Sequence, residues 1–560
     1  MAERKQARKC LVVGLDGATF DLLAPWMEEG LLPALRQLVT KGARGELQST
    51  IPPSTAPAWV SMVTGKNPGK HGVFDFRLGL SSGFERPLVS SHSIGAQRLW
   101  QVLNRKGKKV GLINLPLTYP PEPVEGFLIS GMMTPSPQVA YTYPPELKER
   151  LRGAIGDYVI NIESQRYDIE SEEEALAFLK DVHHAFEKRR EALYYLMAEE
   201  DWDFLMVVFI LPDRIQHRLW KYLDKSTTFF HRPEGARIRE AVKRSFASLD
   251  ETLGTLLRTL GPSTNIFLVS DHGFGPLLAL INFNSWFYDL GILSVARRSG
   301  WKASLFQRGV ALSKRPWFRQ VVPRSIRSKV QKVVRSRRSL LGPGVERGID
   351  WRRTQAYFAG TLQQAIYINQ EGYGSGGGVG TGAPYEDLRN FLKEKLYSLR
   401  DPWDGSQLVD QVFFREEIYW GPYLDQGPDI SLRAKGYSYL GAAELGRAAL
   451  VTDMRHDPRG FHRPNGIFVA VGNDIQPGLE IKGASIIDVA PTILFSMGLA
   501  LPQDMDGQVL DIFSDEFRRA NPIQHEAPSE PTVGTLKRGI YSPEDRKALE
   551  ERLHGLGYLS

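Results

Sequence analysis

The chain reads as an α/β protein built on a mostly parallel sheet with helices on both faces. Two observations predict it: short, continuous apolar runs of strand length, and long stretches of helical periodicity between them. Residues 10–14 open the chain as a buried strand. Residues 21–41 carry Leu22, Leu23, Trp26, Leu31, Leu35 and Leu38 near helical spacing, interrupted by Pro25 and Pro33. Further buried strands are expected at residues 110–114, 204–211 and 266–269, and helices at residues 172–199 and 235–260. Strand and helix in alternation favour parallel pairing through helical crossovers.

The pattern changes after residues 282–293. Residues 297–338 hold 14 Lys/Arg and no Asp/Glu, so a chain of net charge +6 is acidic everywhere else taken together. Helical pieces there, such as residues 326–334, are broken at Pro316 and Pro323. Alternation resumes near Ile349, with strand-like runs at residues 365–368 and 467–471. Residues 372–382 are Gly-rich and precede a helix at 385–399, but they lack the GxGxxG spacing of a nucleotide-binding turn and read as a surface loop. Residues 520–535 are polar and Pro-bearing, as a linker is. The tail is a well-signalled helix: Ser542 at the N-cap, Pro543 at the first position, Glu544 and Asp545 in the first turn. Leu549, Leu553 and Leu556 form a stripe and Gly557 ends it, so the helix is expected to dock on the body or on a second subunit.

Composition sets outer limits. At 560 residues the chain can bury a large core, and 42% hydrophobic with 24% charged residues is ordinary for a globular protein. The one cysteine, Cys10, has no intrachain disulfide partner, which fits a reducing compartment. The first ten residues are too charged for an apolar signal core, and no run approaches the roughly 18–20 apolar residues of a membrane span. The expected location is cytoplasmic.

Several strand ends carry ligand-type side chains. Asp271 and His272 follow an apolar run in NIFLVSDHGFG, where a parallel strand would deliver them to the sheet's carboxyl edge. An adjacent carboxylate and imidazole suit a transition metal, although a turn Asp and a half-buried His would look the same. Asp16 ends the first strand, in the place of a helix cap. Asp213 follows residues 204–211, with His217 four residues on; i and i+4 share one helix face, so the two can converge on one ion. His462 precedes residues 467–471, with His456 as the other candidate. Residues 51–59 (IPPSTAPAW) combine prolines with two hydroxyls, Ser54 and Thr55, and read equally as a rigid turn with capping hydroxyls.

Taken together, these segments resemble the alkaline phosphatase superfamily, in its type I phosphodiesterase/nucleotide pyrophosphatase family and the cytoplasmic bacterial and archaeal branch of it. The resemblance spans roughly residues 10–290 and 345–512. It rests on GLDG, PPSTAPAWVSMVTGKNPGKHGVFDF, PDRIQH, SDHGFG, GFHRPNGIFVAVG and IIDVAPTILFSMGL. It implies an alkaline phosphatase-like catalytic core over residues 10–290 and 345–515. A basic cap-like insertion over 291–344 and a linker with its C-terminal helix over 516–560 complete the organisation. It also implies two divalent metal ions, zinc by the mixed carboxylate and imidazole donors, with manganese as the alternative. One would be held by Asp213, His217 and His462, the other by Asp16, Asp271, His272 and Thr55. Thr55 would be the nucleophile, with Ser54 as the alternative hydroxyl. The reaction implied is hydrolysis of a small phosphate ester or nucleotide-like substrate through a phospho-threonine.

Departures from the family pattern matter. Ala56 stands where alkaline phosphatases carry a phosphate-binding arginine, and Ala58 where many nucleotide pyrophosphatases carry an asparagine. There is no Cys/Ser-x-Pro-x-Arg run, which argues against a sulfatase. His71 and Arg463 are candidate substrate contacts; His71 serves equally as a structural residue. The basic segment is either a solvated cap or a collar that attracts an anionic membrane surface or RNA, with Trp301, Phe306, Trp317 and Phe318 as apolar faces. A phosphotransferase or phosphomonoesterase would use the same residues. A non-catalytic anion- or membrane-binding protein with this fold is the remaining alternative.

Overall fold

The computed structural model describes residues 9–79, 86–163, 167, 169–261, 263–296, 349–360, 364–372, 378–443, 445, 449–528, 539–556 and 558. The basic segment 297–338 with its four aromatic residues, and residues 373–377 of the Gly-rich loop, lie outside them.

A nine-stranded sheet forms the frame, in the spatial order Ala484–Ser485, Ala43–Gln48, Asn465–Val471, Thr264–Val269, Lys9–Leu15, Phe204–Phe209, Val110–Leu115, Gly126–Ser130 and Thr142–Tyr143. The five strands from Thr264–Val269 to Gly126–Ser130 are mutually parallel. Asn465–Val471 runs antiparallel between Ala43–Gln48 and Thr264–Val269. Successive side chains of a strand point to opposite faces. Leu11, Val13 and Leu15 accordingly enter one apolar cluster, while Cys10 and Val12 enter another on the far side. Helices Phe20–Glu28, Pro33–Lys41, Glu172–Glu199, Leu211–Leu223 and Pro233–Thr259 contribute to the first. Helices Thr55–Thr64, Leu99–Arg105 and Val489–Ser496 contribute to the second. Burial on both faces explains why these strands read as unbroken apolar runs.

A second, largely antiparallel sheet has seven strands. It holds Ala279–Ile281, Ala356–Phe358, Ala365–Ile368, Val409–Phe414, Ile430–Ala434, Tyr439–Gly441 and Val451–Asp453. Helix Ala383–Ser398 packs on it through Leu392 and Leu396, giving a separate apolar cluster. Residues 365–368 therefore pair here and not in the parallel sheet; a four-residue apolar run does not reveal its partner. Part of the expected linker is also ordered, since His525–Glu526 pairs with Leu501–Pro502. The tail helix spans Pro543–Gly555, with Ser542 accepting from the Asp545 amide. No helix among the described residues is long and apolar enough to cross a membrane.

Candidate active site

One edge of the central sheet collects the candidate residues. Lys9–Leu15 ends beside Asp16, Thr264–Val269 runs out toward Asp271 and His272, and Phe204–Phe209 leads into helix Leu211–Leu223 with Asp213 in its first turn. Ala43–Gln48, parallel in direction to these, leads to Thr55. Asn465–Val471 runs the opposite way, so its start, just after His462, meets the same edge. A short antiparallel ribbon completes the approach: Arg459–Arg463 pairs with Gly273–Leu277, His462 opposite Phe274. His462 thereby stacks on His272, ring centroids 3.5 Å apart. Helix Thr55–Thr64 comes close because Gly14 has no Cβ; one added there would overlap the Trp59 indole.

Seven residues converge in this buried place: Asp16, Thr55, Asp213, His217, Asp271, His272 and His462, none more than 4% exposed. Asp213 Oδ1 lies 3.2 Å from His217 Nε2 and 3.6 Å from His462 Nε2. His272 Nε2 lies 3.3 Å from Asp271 Oδ2 and 3.7 Å from Asp16 Oδ1. Asp213, His217 and His462 offer ligand atoms within 4.8 Å of one another, as do Asp16, Asp213 and His272. Asp213 thus belongs to both sets, a sharing the sequence reading did not anticipate. His456, the other candidate, is exposed in a turn.

Each of the three imidazoles is oriented by a backbone carbonyl. Nδ1 of His217 donates to Gly460 O at 3.1 Å, that of His272 to Gly273 O at 3.1 Å, and that of His462 to Pro53 O at 3.2 Å. A carbonyl only accepts, so Nδ1 carries the proton and Nε2 presents a lone pair to the centre. The Thr55 hydroxyl, at the first position of its helix, then donates to His272 Nε2 at 3.2 Å. Both oxygens of Asp16 and Oδ2 of Asp271 accept no hydrogen bond. Buried carboxylate oxygens left so are costly, and a cation relieves them.

The electrostatics agree. Burial, reinforced by Asp213, raises Asp16 well above the usual carboxylate range; burial and then Asp16 raise Asp271. Burial raises Asp213 too, but His217 and Arg214 overcome it and hold that carboxyl well below the usual range. Burial drives His272 well down and His462 to about 4, each with a neighbouring imidazole adding. His272 and His462 are therefore held neutral close to Asp16 and Asp271, whose charge burial disfavours, and such mixed imidazole and carboxylate donors suit zinc or a similar divalent ion.

His71 and Arg463 are engaged elsewhere. His71 Nδ1 accepts from the Val73 amide at 3.2 Å, and its Nε2 lies 2.9 Å from Ser61 Oγ. Arg463 donates to the carbonyls of Tyr437 at 2.7 Å and His462 at 2.9 Å, and to Pro276 O, and burial lowers it to about 10. Two residues that sequence reasoning missed do reach the site. Arg214, 1% exposed, pairs with Asp213, and Tyr558 bonds to Asp213 and Arg214. Arg214 had a readable signal, since it lies inside PDRIQH between two candidate ligands.

The model of the type I phosphodiesterase/nucleotide pyrophosphatase family matches residues 10–361. The chain belongs to this family. The chain is accordingly a phosphoester hydrolase, in a family that is metal-dependent. A search of curated proteins finds no match. Solved structures similar to this type I phosphodiesterase include inactive murine ectonucleotide pyrophosphatase/phosphodiesterase 5 in complex with AMP. It is 14% identical, covering 90% of this chain and 100% of that one, with a TM-score of 0.47. Phosphonoacetate hydrolase from Sinorhizobium meliloti 1021, in complex with phosphonoacetate, is 15% identical, covering 88% and 95%, with a TM-score of 0.49. At these scores the likenesses carry no argument about what the chain binds.

Proposed function

We propose that this type I phosphodiesterase cleaves phosphoric diesters through Thr55, with two divalent cations held by the buried ligand cluster. Asp213, His217 and His462 would hold one; Asp16, Asp271, His272 and Thr55 would hold the other. Zinc fits the donor set, and manganese is the alternative. When bound, such ions supply Lewis acidity at the attacking and leaving oxygens of an in-line displacement.

The observation that carries the proposal is the environment of the Thr55 hydroxyl. It sits at a helix N-terminus, where oriented amides favour negative charge. Its oxygen lies 3.2 Å from His272 Nε2, so it is aimed into the ligand cluster before substrate arrives, where a bound cation would favour its deprotonation. Attack by Thr55 Oγ1 on phosphorus forms the new P–O bond as the bond to one ester oxygen breaks, and that oxygen leaves as an alcohol after gaining a proton. The product is a phospho-threonine that still carries the second ester group. Water then attacks phosphorus, releasing a phosphate monoester and returning the Thr55 hydroxyl. Both oxygens of Asp16 and Oδ2 of Asp271 lack hydrogen-bond donors, and these are the atoms that would face the cation beside the nucleophile.

The substrate class supported is a small phosphate ester or nucleotide-like diester, and the location supported is cytoplasmic. The test compares bis-p-nitrophenyl phosphate with p-nitrophenyl phosphate on the purified chain supplied with Zn²⁺ or Mn²⁺. Faster diester cleavage, lost in Thr55→Ala, supports the proposal. Faster monoester cleavage, or transfer to an added alcohol in place of water, points to the monoesterase or phosphotransferase reading. A reconstituted protein inactive on both would overturn the proposal as stated.

A further inference from the structure

We propose that Tyr558, brought in by the last helix of the chain, is a positioning residue that holds Asp213 in its ligand geometry. The inference rests on the reading of Asp213, His217 and His462 as one metal site. The Tyr558 hydroxyl lies 3.1 Å from both Asp213 oxygens, to which it donates, and accepts from Arg214 Nη1 at 3.1 Å. Arg214 also pairs directly with Asp213. Arginine, phenol and carboxylate thus close a ring of hydrogen bonds around a carboxylate whose Oδ1 faces His217 and His462. Partners of this kind set the angle of a ligating carboxylate, and removing them weakens metal binding.

The ring of Tyr558 is fixed as firmly as its hydroxyl. It stacks on Phe76 at 5.1 Å between centroids, and meets His217 at 5.5 Å and His462 at 5.7 Å edge-on. It is 2% exposed.

A tail over an active site could also be a plug that must leave before substrate enters. The anchoring argues for permanence. Leu549, Leu553 and Leu556 enter the same apolar cluster as Phe76, Met132, Met133 and Phe461. Arg552 donates to Thr134 O at 2.8 Å and Pro135 O at 2.9 Å, and Glu550 pairs with Arg77 at 2.8 Å. The Tyr541 hydroxyl, ahead of the helix, reaches Val89 O at 3.0 Å and Met133 O at 3.1 Å. A segment held at its start, middle and end is part of the fold.

The test is Tyr558→Phe in the full chain, which keeps the ring and removes only the hydroxyl. Zn²⁺ affinity is measured by competition with a chromophoric chelator, beside the thermal midpoint of the metal-free protein and the kcat and KM for bis-p-nitrophenyl phosphate. The expected result is Zn²⁺ bound about tenfold or more weakly at one of two sites, with kcat lowered more than KM is raised and the metal-free midpoint little changed. Unchanged Zn²⁺ affinity and kcat would reduce Tyr558 to packing and overturn the inference. Activity above that of the unaltered chain, in this variant or in Tyr558→Ala, would make the tail a plug and overturn it as well. A wild-type chain that takes up no Zn²⁺ would instead bring down the metal reading on which the inference stands.

Discussion

His217 and His462 face one another through their Nε2 atoms at 3.0 Å, while the Nδ1 of each donates to a backbone carbonyl. Two lone pairs so directed repel unless a positive charge lies between them. A proton is a poor candidate at neutral pH, because burial and the neighbouring imidazole hold His462 near pKa 4. A divalent cation shared with Asp213 Oδ1 would resolve the contact and use all three donors. Helix geometry, the Gly460 carbonyl and the Pro53 carbonyl aim this pair before any ion arrives, which is how oriented ligands reach high affinity.

Metal binding should therefore stabilise the fold. Asp16 and Asp271 have carboxyl groups raised above their unfolded values. A raised carboxyl favours folding when protonated, below the unfolded value near 4, and costs stability once pH rises through the folded value. At pH 7 the metal-free protein carries that cost. Zn²⁺ or Mn²⁺ should raise the thermal midpoint. Asp16→Asn should stabilise the metal-free chain by about 1–3 kcal/mol while shrinking the rise on adding metal. Calorimetry with and without metal measures both; a metal-free Asp16→Asn protein less stable than wild type would contradict the assignment.

Gly460 fixes the distance between the His462 strand and the His217 helix. A Cβ there would run into the Gln216 carbonyl, and the Gly460 carbonyl itself holds His217. Gly460→Ala is expected to cost about 1–3 kcal/mol and to weaken metal binding together with activity. Denaturant unfolding and metal titration of the same variant report the two effects; normal metal affinity in a destabilised variant would separate the helix position from the site.

Much of this site was legible locally. Asp213 and His217 share a helix face by spacing alone, and Asp16 and the Asp271–His272 pair follow from runs that end at a parallel edge. Local pattern could not choose between His456 and His462, because that choice depends on the pairing of Arg459–Arg463 with Gly273–Leu277. Nor could it show His71 bonded to Ser61 and Val73, or Arg463 spent on carbonyls, since those partners arrive through turns and the pairing of strands distant in sequence. Tyr558 was out of reach: it meets Asp213 across 345 residues, and nothing in GLGYLS foretells the contact. The second sheet was hidden for a similar reason, as its short apolar strands look like those of the first.

His71 yields a prediction about acid stability. Burial lowers it to about 3, with Lys66 adding and Asp506 opposing. The unfolded chain takes up this proton near pH 6.5, whereas the folded chain resists until about pH 3. The stability His71 contributes is thus complete above pH 6.5 and is lost as pH falls from 6.5 toward 3. Its slope is up to about 1.4 kcal/mol per pH unit. His71→Gln should flatten the fall of the metal-free thermal midpoint across that window by about one proton. An identical pH slope in the variant would show that His71 does not titrate on unfolding.

The central claim is that Thr55, set among Asp16, Asp213, Asp271 and His272, is the atom that attacks phosphorus. The most direct measurement quenches the Zn²⁺- or Mn²⁺-loaded protein in acid during turnover of bis-p-nitrophenyl phosphate. The peptide containing residues 51–59 is then weighed by tandem mass spectrometry. The account predicts a p-nitrophenyl phosphoryl group on Thr55 that is absent from Thr55→Ala, with turnover in that variant lower by on the order of 10³ or more. Sustained diester turnover with no adduct on Thr55, or with the adduct on Ser54, would contradict it.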